Sequence, residues 1–247
     1  MSKRHVGKIC VYCGIATAET MDHVFAREFL LIERRANLPK VPACQACNNV
    51  KSGHEHYLTT VLPFASNHLD ATAMLSQMVE RRLNKNAKLK GRLSAGHRQE
   101  LTLQNGILVS AMTLPFDGER VGELFKFITQ GLLFHHWGVV LDRQRHGIWA
   151  GFLNRPGEEV HRRLLAGNAR ARVREDIGAG ALVYEGVQGM DFPEMSIWVF
   201  QLFGGVRVSG DADEPEAMVR VVGGVTASHR ALKLLDGGQG SASPAVA

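Results

Sequence analysis

The sequence lacks a long apolar run, an unpaired leftover cysteine and an internal repeat. A membrane-spanning helix needs about 18 consecutive apolar residues, so we expect no transmembrane segment. The opening MSKRHVGKIC is basic, but no apolar stretch follows it. We therefore expect no secretory signal peptide. Repeats of roughly 20 to 50 residues would indicate a solenoid or a propeller, and neither is predicted.

All four cysteines form two C-x2-C pairs, Cys10 with Cys13 and Cys44 with Cys47. A C-x2-C turn holds two sulfurs about one tetrahedral edge apart, and thiolates suit Zn²⁺ better than Mg²⁺. The spacing therefore predicts one structural zinc site with four protein ligands. Such a closed site leaves no position for a catalytic water, so any chemistry must come from nearby residues. Cysteines used in this way also favour a reducing compartment, and we expect the cytoplasm.

Three polar residues lie between or directly after these pairs. Asp22 and His23 are adjacent in ETMDHVF, and Asn48 follows the last cysteine in QACNNVK. The Asp22 carboxylate and the Asn48 amide oxygen are hard ligands of the kind that Mg²⁺ takes beside water and phosphate oxygens. A neutral His23 could then accept a proton from an attacking water. If TMDHVF is a strand, Asp22 and His23 point to opposite faces unless a bulge or the strand end lets both reach one centre.

The pattern C-x2-C, Asp-His-Val and C-x2-C-Asn-x2-Lys resembles the zinc-containing branch of the HNH, or ββα-metal, endonucleases. The resemblance covers residues 10–51. It implies a zinc-stapled module of two strands and a helix that hydrolyses phosphodiester bonds, with DNA as the expected substrate. Carried over residue by residue, it implies Asp22 and Asn48 as ligands of a catalytic Mg²⁺ or Mn²⁺ and His23 as the general base. Many members have histidine after the last cysteine, whereas others, including phage junction-resolving nucleases, have asparagine, as here.

Two further expectations concern the residues after Asn48. The family has one more metal ligand beyond this position, and His54, Glu55 and His56 in SGHEHY all remain candidates for it. Lys51 is expected to add a charge-assisted contact to a phosphate, although a lysine there could equally belong to a solvated surface.

The formal net charge of +5 favours a polyanionic partner such as nucleic acid. Between Glu80 and Glu100 the chain has seven lysines or arginines and no acid. This segment predicts either a phosphate-contacting surface or a solvated helix face. A second arginine-rich segment spans 155–174, where acidic residues partly offset the charge. The expected nucleic-acid contacts are Lys51, Arg81, Arg82, Lys85 and Lys88.

Beyond the cysteines, the periodicity predicts both helices and antiparallel strands. An apolar face over residues 117–137 indicates a buried helix, with Asp117 as its cap. Asn105-Gly106 predicts a tight hairpin turn, and EEVHRRLLAG a short helix. Strands punctuated by glycine follow from Ala181 onward and are expected to join the hairpin in one sheet. The fold class is therefore predicted as α+β.

The predicted organisation has an N-terminal zinc-stapled ββα-metal module at 1–57 and a larger α+β accessory domain at 58–235. A disordered, small-residue tail is expected at 236–247. The alternative to a nuclease is a non-catalytic four-cysteine zinc module that binds nucleic acid or a protein. In that case Asp22 and His23 would only brace a turn.

Overall fold

The computed structural model describes residues 7–66, 68–104, 107–167, 169–208 and 218–236. Its helices and antiparallel sheets make the fold α+β, which confirms the predicted class. Within these ranges no helix is long and apolar enough to cross a membrane.

The secondary structure in the described ranges comprises seven α-helices, one π-helical turn, eleven strands and three short 3₁₀-helices, Arg27–Phe29, Ile32–Arg34 and Leu62–Ala65. The helices are α1 (Gln45–Val61), α2 (Leu69–Met74), α3 (Glu80–Lys85), α4 (Ala87–Gly96), α5 (Glu119–Trp137), α6 (Arg155–Ala166) and α7 (His229–Asp236), and the π-helical turn Leu75–Val79 joins α2 to α3. The strands are β1 (Thr20–His23), β2 (Lys40–Ala43), β3 (Arg98–Gln104), β4 (Ile107–Thr113), β5 (His146–Phe152), β6 (Ala171–Ile177), β7 (Leu182–Gln188), β8 (Ser196–Leu202), β9 (Val206–Val208), β10 (Met218–Arg220) and β11 (Val222–Ser228).

The N-terminal part folds in the order strand, strand, helix. β1 and β2 pair antiparallel, with Asp22 opposite Val41 and His23 opposite Lys40. α1 begins one residue after Cys44, which directly follows β2. Because the second cysteine pair spans the start of this helix, the same residues that gather the sulfurs also fix α1 relative to the two strands.

The larger part is a five-stranded antiparallel sheet in the order β5-β11-β8-β7-β6, covered on one face by α5. Phe125 of α5 packs edge-on against Phe200 of β8, with ring centroids 5.0 Å apart. Small residues let the layers approach closely. A Cβ atom on Gly131 of α5 would lie 2.9 Å from Val24, which directly follows β1. α5 therefore packs against both the sheet and the N-terminal strands.

One hydrophobic core connects the two predicted domains. It contains Cys10, Phe25 and Val41 from the N-terminal part together with Trp198 and Phe200 from the five-stranded sheet. The predicted boundary after residue 57 falls inside α1.

Two sequence predictions about the fold are wrong. The predicted hairpin does form, but β3 and β4 make a separate two-stranded sheet. Leu101 on β3 is 74% exposed, so this hairpin presents a side chain to solvent that a shared core would bury. Asp117 does not cap α5, because the N-cap is Gly118 and the Asp117 carboxylate accepts a hydrogen bond from Arg120 Nε at 2.8 Å.

The predicted helix at EEVHRRLLAG is confirmed as α6. Glycine-punctuated strands after Ala181 are confirmed as β7 to β11. The turn at Asn105-Gly106 and the predicted tail from residue 237 onward lie outside the described residues.

Gly186 tests how tightly the sheet is packed. A Cβ atom added there would overlap the indole ring of Trp198, which is fully buried on the neighbouring strand. We expect Gly186→Ala to lower the free energy of unfolding by about 1–3 kcal/mol, the usual range for overpacking a core. Urea denaturation measures the change.

Gly91→Ala is the matched control, because Gly91 lies within α4 with nothing within 4 Å of an added Cβ atom. Alanine replaces glycine favourably inside a helix, so this variant should gain about 0.5–1 kcal/mol. Equal effects in both variants would contradict the packing described for Trp198.

Candidate metal centre and active site

The four cysteines form one cluster. All are free thiols, and their sulfur atoms lie within 4.8 Å of one another. Zinc–sulfur bonds of about 2.3 Å place tetrahedral sulfurs about 3.8 Å apart, so the cluster fits this geometry with little adjustment. Four cysteines this close could hold a metal ion such as zinc.

Backbone groups shape both halves of the cluster. In the first half, Gly14 N donates to Cys10 O at 2.9 Å and Ala16 N donates to Cys13 Sγ at 3.4 Å. Gly14 has a φ of +71°, a left-handed conformation that glycine adopts without strain. In the second half Cys44 is the N-cap residue of α1, so Cys47 falls in the first turn of the helix. The turn and the helix start together hold the sulfurs in place.

The electrostatics of the cysteine cluster favour the binding of a cation. Burial raises the pKa of Cys10. Burial also raises the pKa of Cys47, together with the Cys44 thiol and the negative charge of the other three cysteines. Burial acts in the same direction on Cys13, but backbone N–H donors from Ile15 and Ala16 outweigh it and lower that pKa to about 7. Four thiolates at these distances repel one another, and a bound Zn²⁺ would remove that repulsion.

Beside the cluster, Asp22 lies in a buried polar network. Tyr12, between the first two cysteines, donates its hydroxyl to Asp22 Oδ2 at 2.6 Å. Lys51 Nζ lies 3.0 Å from the same oxygen and donates to the His23 carbonyl at 2.7 Å. Lys51 also pairs with Glu55 one helical turn later. Both contacts to the Asp22 carboxylate fall on Oδ2, which leaves Oδ1 as the oxygen available to a cation.

One side of α1 faces one side of β1. Asn48 Nδ2 lies 3.5 Å from Thr20 Oγ1, and Lys51, three residues further along α1, reaches Asp22, two residues further along β1. Residues three apart on a helix and two apart on a strand share a face, so these contacts run in parallel. Asn48 and Asp22 therefore lie at the same junction. Nδ2 of Asn48 is directed toward Thr20, so the amide oxygen lies on the other side of the side-chain amide.

His23 is the last residue of β1 and is half-buried. Burial lowers the pKa of its imidazole, and Lys40 and Arg27 lower it further, whereas the nearby Asp22 acts in the opposite direction. The ring is therefore neutral at neutral pH. Among the described residues no hydrogen bond joins it to the side chains of Asp22 or Asn48. The β1–β2 pairing is regular through His23, so the Asp22 and His23 side chains leave the strand on opposite faces, and only the end of β1 offers a route by which both could reach one centre.

Lys51 is not at the protein surface, where the sequence analysis predicted it. It was expected as a surface contact to phosphate, but it is fully buried and bonded to three groups. Its role in this structure is to join α1 to the end of β1. Among the three candidates for a further ligand, Glu55 lies on the Asp22 side through its pair with Lys51. His56 is exposed on another side of α1.

The other expected contacts fall into two groups. Arg81, Lys85 and Lys88 are exposed on α3 and α4. Arg82 is half-buried and donates from Nη1 to the Thr59 carbonyl at 2.7 Å, so it holds α3 against α1.

Two residues of the site were missed in the sequence. Tyr12 supplies the hydrogen bond to Asp22, and its backbone carbonyl accepts from Gln130 Nε2 of α5 at 3.0 Å. Glu19 Oε2 accepts from the backbone N–H of Gln45 at 2.7 Å, so a carboxylate satisfies the first turn of α1. The position of Tyr12 inside the first C-x2-C pair was a usable signal, whereas the Glu19 contact depends on how β1 and α1 pack.

Replacing Cys44 with serine tests the metal centre. The change removes one thiolate from a four-sulfur cluster, and metal-binding energy in such modules is also folding energy. We expect zinc, measured by mass spectrometry of the purified protein, to fall from one per chain to a small fraction. Limited proteolysis of the N-terminal part should accelerate.

Ala46→Ser is the control for that experiment, because Ala46 is exposed between the two cysteines and its replacement leaves every thiol in place. It should keep the parent's zinc content and protease resistance. Full zinc retention by Cys44→Ser would contradict a four-cysteine site.

Glu55 gives the site a pH dependence. Burial raises its pKa to about 7, although Lys51 acts against the shift. The folded state therefore keeps this proton up to about pH 7, whereas an unfolded glutamate releases it near pH 4.5. More protons are bound in the folded state between these values, so this group's contribution to stability is lost as the pH rises through that window.

Comparing Glu55→Gln with the parent at pH 5 and pH 7.5 isolates the effect. The parent's free energy of unfolding relative to the variant should fall by about 1–3 kcal/mol, since one pKa unit corresponds to about 1.4 kcal/mol. Glu33→Gln, at an exposed position, should track the parent at both values. A parent and a Glu55→Gln variant with the same pH dependence would contradict the buried, protonated carboxyl.

No protein-family model, curated protein or solved structure matches this chain. The case for a function therefore rests on the residues of the site and their geometry.

Proposed function

We propose that this protein is a metal-dependent endonuclease of the HNH type that hydrolyses phosphodiester bonds, with DNA as substrate. The observation that carries the proposal is the placement of three residues around the cysteine cluster. Asp22 and His23 end the first strand, and Asn48 lies in the first helical turn after Cys47. A carboxylate, an amide and a neutral imidazole at one strand–helix junction are the groups that metal-assisted hydrolysis requires.

Asp22 and Asn48 are the proposed ligands of a catalytic Mg²⁺ or Mn²⁺. Tyr12 and Lys51 both engage Oδ2 of Asp22, so Oδ1 is the oxygen offered to the ion. The amide oxygen of Asn48 lies on the other side of its amide, because the nitrogen is directed toward Thr20. Two protein oxygens with water and phosphate oxygens completing the shell is the usual arrangement for Mg²⁺.

His23 is the proposed general base. Its neutral imidazole accepts a proton from the attacking water, whose oxygen forms a bond to phosphorus as the bond to the leaving oxygen breaks. A divalent ion, when bound, supplies positive charge for the phosphate and the leaving oxygen. Asp22 and Asn48 orient that charge, and the His23 carbonyl held by Lys51 fixes the backbone from which the imidazole projects.

The network around Asp22 also favours a second candidate, a zinc module that binds nucleic acid or a protein without cleaving anything. A carboxylate paired with a buried lysine is what a purely structural brace requires. Under this alternative, the ion pair between β1 and α1 would be the whole role of Asp22. The two candidates differ in what substitution of His23 does.

His23→Ala should remove the base without removing a zinc ligand. We expect the variant to fold, keep its zinc and bind DNA like the parent, while cleavage falls by about 10²-fold or more. Asp22→Asn, which preserves a hydrogen-bond acceptor for Tyr12 and Lys51, should also lose cleavage through weaker metal binding. Excess Mn²⁺ should partly restore Asp22→Asn and leave His23→Ala unchanged.

The assay follows cleavage of plasmid, linear duplex, single-stranded DNA and RNA in Mg²⁺, Mn²⁺ or EDTA. His56→Ala serves as a matched control, since this histidine is exposed on α1 away from Asp22, and it should cleave like the parent. Cleavage by His23→Ala and Asp22→Asn at the parent's rate would refute the nuclease proposal. A parent that binds DNA but never cuts it would favour the binding module.

A further inference from the structure

The chain has two arginine-rich segments, which differ in whether carboxylates pair with their basic side chains. In the segment 155–174, carboxylates neutralise much of the charge. Arg162 pairs with Glu158 at 2.6 Å and Arg163 with Glu159 at 2.5 Å, both one turn apart on α6. Arg172 on β6 pairs with Glu185 on β7 at 3.3 Å.

The segment 81–98 has no such compensation. Six of its cations are exposed, and none of them has a carboxylate oxygen within 4.0 Å among the described residues. The nearest acids in the sequence are Glu80 and Glu100, outside the segment. Four of the six lie four residues apart in pairs on α3 and α4, and we call these the α3–α4 cationic surface: Arg81, Lys85, Lys88 and Arg92.

Like charges repeat along both helices of this surface. Arg81 and Lys85 are four residues apart on α3, and Lys88 and Arg92 are four apart on α4. Such pairs destabilise a helix by about 0.2–0.5 kcal/mol each, so the isolated protein gains nothing from them. A bound polyanion would reverse the sign of this interaction. Uncompensated repeats of this kind therefore indicate a partner with regularly spaced negative charge.

The surface is joined to the proposed active site through α1. Asn48, Lys51, Glu55 and Thr59 follow one another at three- and four-residue steps, which places them on one side of the helix. The first three face β1 and the buried network, and the Thr59 carbonyl accepts from Arg82 of α3. From Asn48 to Thr59 the helix rises about 16 Å, a distance that about five base pairs of duplex would cover.

The segment also lacks the residues that bind exposed bases. RRLNKNAKLKGRLSAGHR contains no phenylalanine, tyrosine or tryptophan. Proteins that bind single strands combine positive charge with aromatic rings on which bases stack, whereas duplex backbones need only cations at phosphate spacing. The composition therefore favours contacts with the phosphates of a double helix.

We propose that the α3–α4 cationic surface binds the sugar–phosphate backbone of double-stranded nucleic acid without reading its sequence. The proposal deepens the proposed function and rests on it, since the same duplex would have to reach Asp22, His23 and Asn48, which α1 links to α3. It also assigns different roles to the two arginine-rich segments. Only the uncompensated one contributes to binding.

Two matched variants test this assignment in buffer without added Mg²⁺ or Mn²⁺, where binding is measured without cleavage and the cysteine site is not exposed to a chelator. The first replaces Arg81, Lys85, Lys88 and Arg92 with glutamine. The second replaces Arg155, Arg162, Arg163 and Arg174 with glutamine. Each set consists of exposed arginines and lysines and lowers the net charge from +5 to +1. Dissociation constants are measured by fluorescence anisotropy for a 20-base-pair duplex of arbitrary sequence over a salt series.

The first variant should bind the duplex at least about tenfold more weakly. The slope of log K against log salt should fall by about 3–4, because each lost phosphate contact contributes about 0.9. The second variant should keep the parent's slope. Equal losses in both variants would show that net charge alone drives binding, and no loss in the first variant would place the duplex elsewhere. Either outcome overturns the proposal.

Binding to other ligands and loss of cleavage are distinguishable outcomes. The parent should prefer the duplex over a single strand of equal length, and the reverse preference contradicts the proposal. Retention on phosphatidylserine vesicles that depends on the same four residues, without duplex binding, would assign the surface to membranes instead. A parent that binds the duplex without added divalent metal but does not cleave it in Mg²⁺ or Mn²⁺ refutes the nuclease and leaves this surface assignment intact.

Discussion

The N-terminal part depends on the four sulfur atoms being held together. β1 and β2 have four residues each, too few to form a stable isolated hairpin. The cysteine cluster connects the turn after Cys10 to the first turn of α1, which contains Asn48. It therefore fixes the start of the helix against the strands. A zinc ion bound by this cluster would make metal binding and folding one process in this region, and the proposed catalytic groups would be positioned by it.

A second constraint is the fully buried Lys51. An ammonium group without solvent needs a counter-charge and further acceptors, and the Asp22 carboxylate, the Glu55 side chain and the His23 carbonyl supply them. The same contacts tie α1 to the end of β1 and orient the Asp22 carboxylate through one oxygen. In the proposed enzyme the two carboxylate oxygens of Asp22 therefore have different roles. Oδ2 of Asp22 belongs to the protein framework, and Oδ1 is left for the metal ion.

The sequence revealed the cysteine site because C-x2-C spacing is a local signal that a single tetrahedral geometry explains. The sequence also predicted α6 and the strands after Ala181, because their apolar residues recur with clear helical or strand periodicity. Burial of Lys51 was not predictable, since it depends on partners from β1 and from α1 itself that only meet after folding. The same holds for the hairpin β3–β4, whose alternation marks strands without saying which sheet they join.

Counting charges in the sequence has the same limit, because it does not show which charges are paired after folding. The two arginine-rich segments have similar numbers of basic residues, seven in 81–98 and six in 155–174, but among the described residues only in the second do carboxylates pair with them, from Glu158, Glu159 and Glu185. Pairs four apart on a helix can be read from sequence, but the Arg172–Glu185 pair requires the register of β6 with β7. The candidate active site was predictable as a set of residue types, and Tyr12 could have been noticed by its position inside the first C-x2-C pair, whereas the support from Glu19 came only from three-dimensional packing.

The central claim is that one folded unit holds a structural metal at the cysteines and a second, exchangeable metal at Asp22 and Asn48. Crystals soaked in Mn²⁺ and measured at the zinc and manganese absorption edges test it most directly. The account predicts a zinc peak within about 2.3 Å of the four sulfurs and a manganese peak about 2.0–2.2 Å from Asp22 Oδ1 and the Asn48 amide oxygen. A zinc peak alone, with Asp22 bound only to Tyr12 and Lys51 at saturating Mn²⁺, would contradict the account.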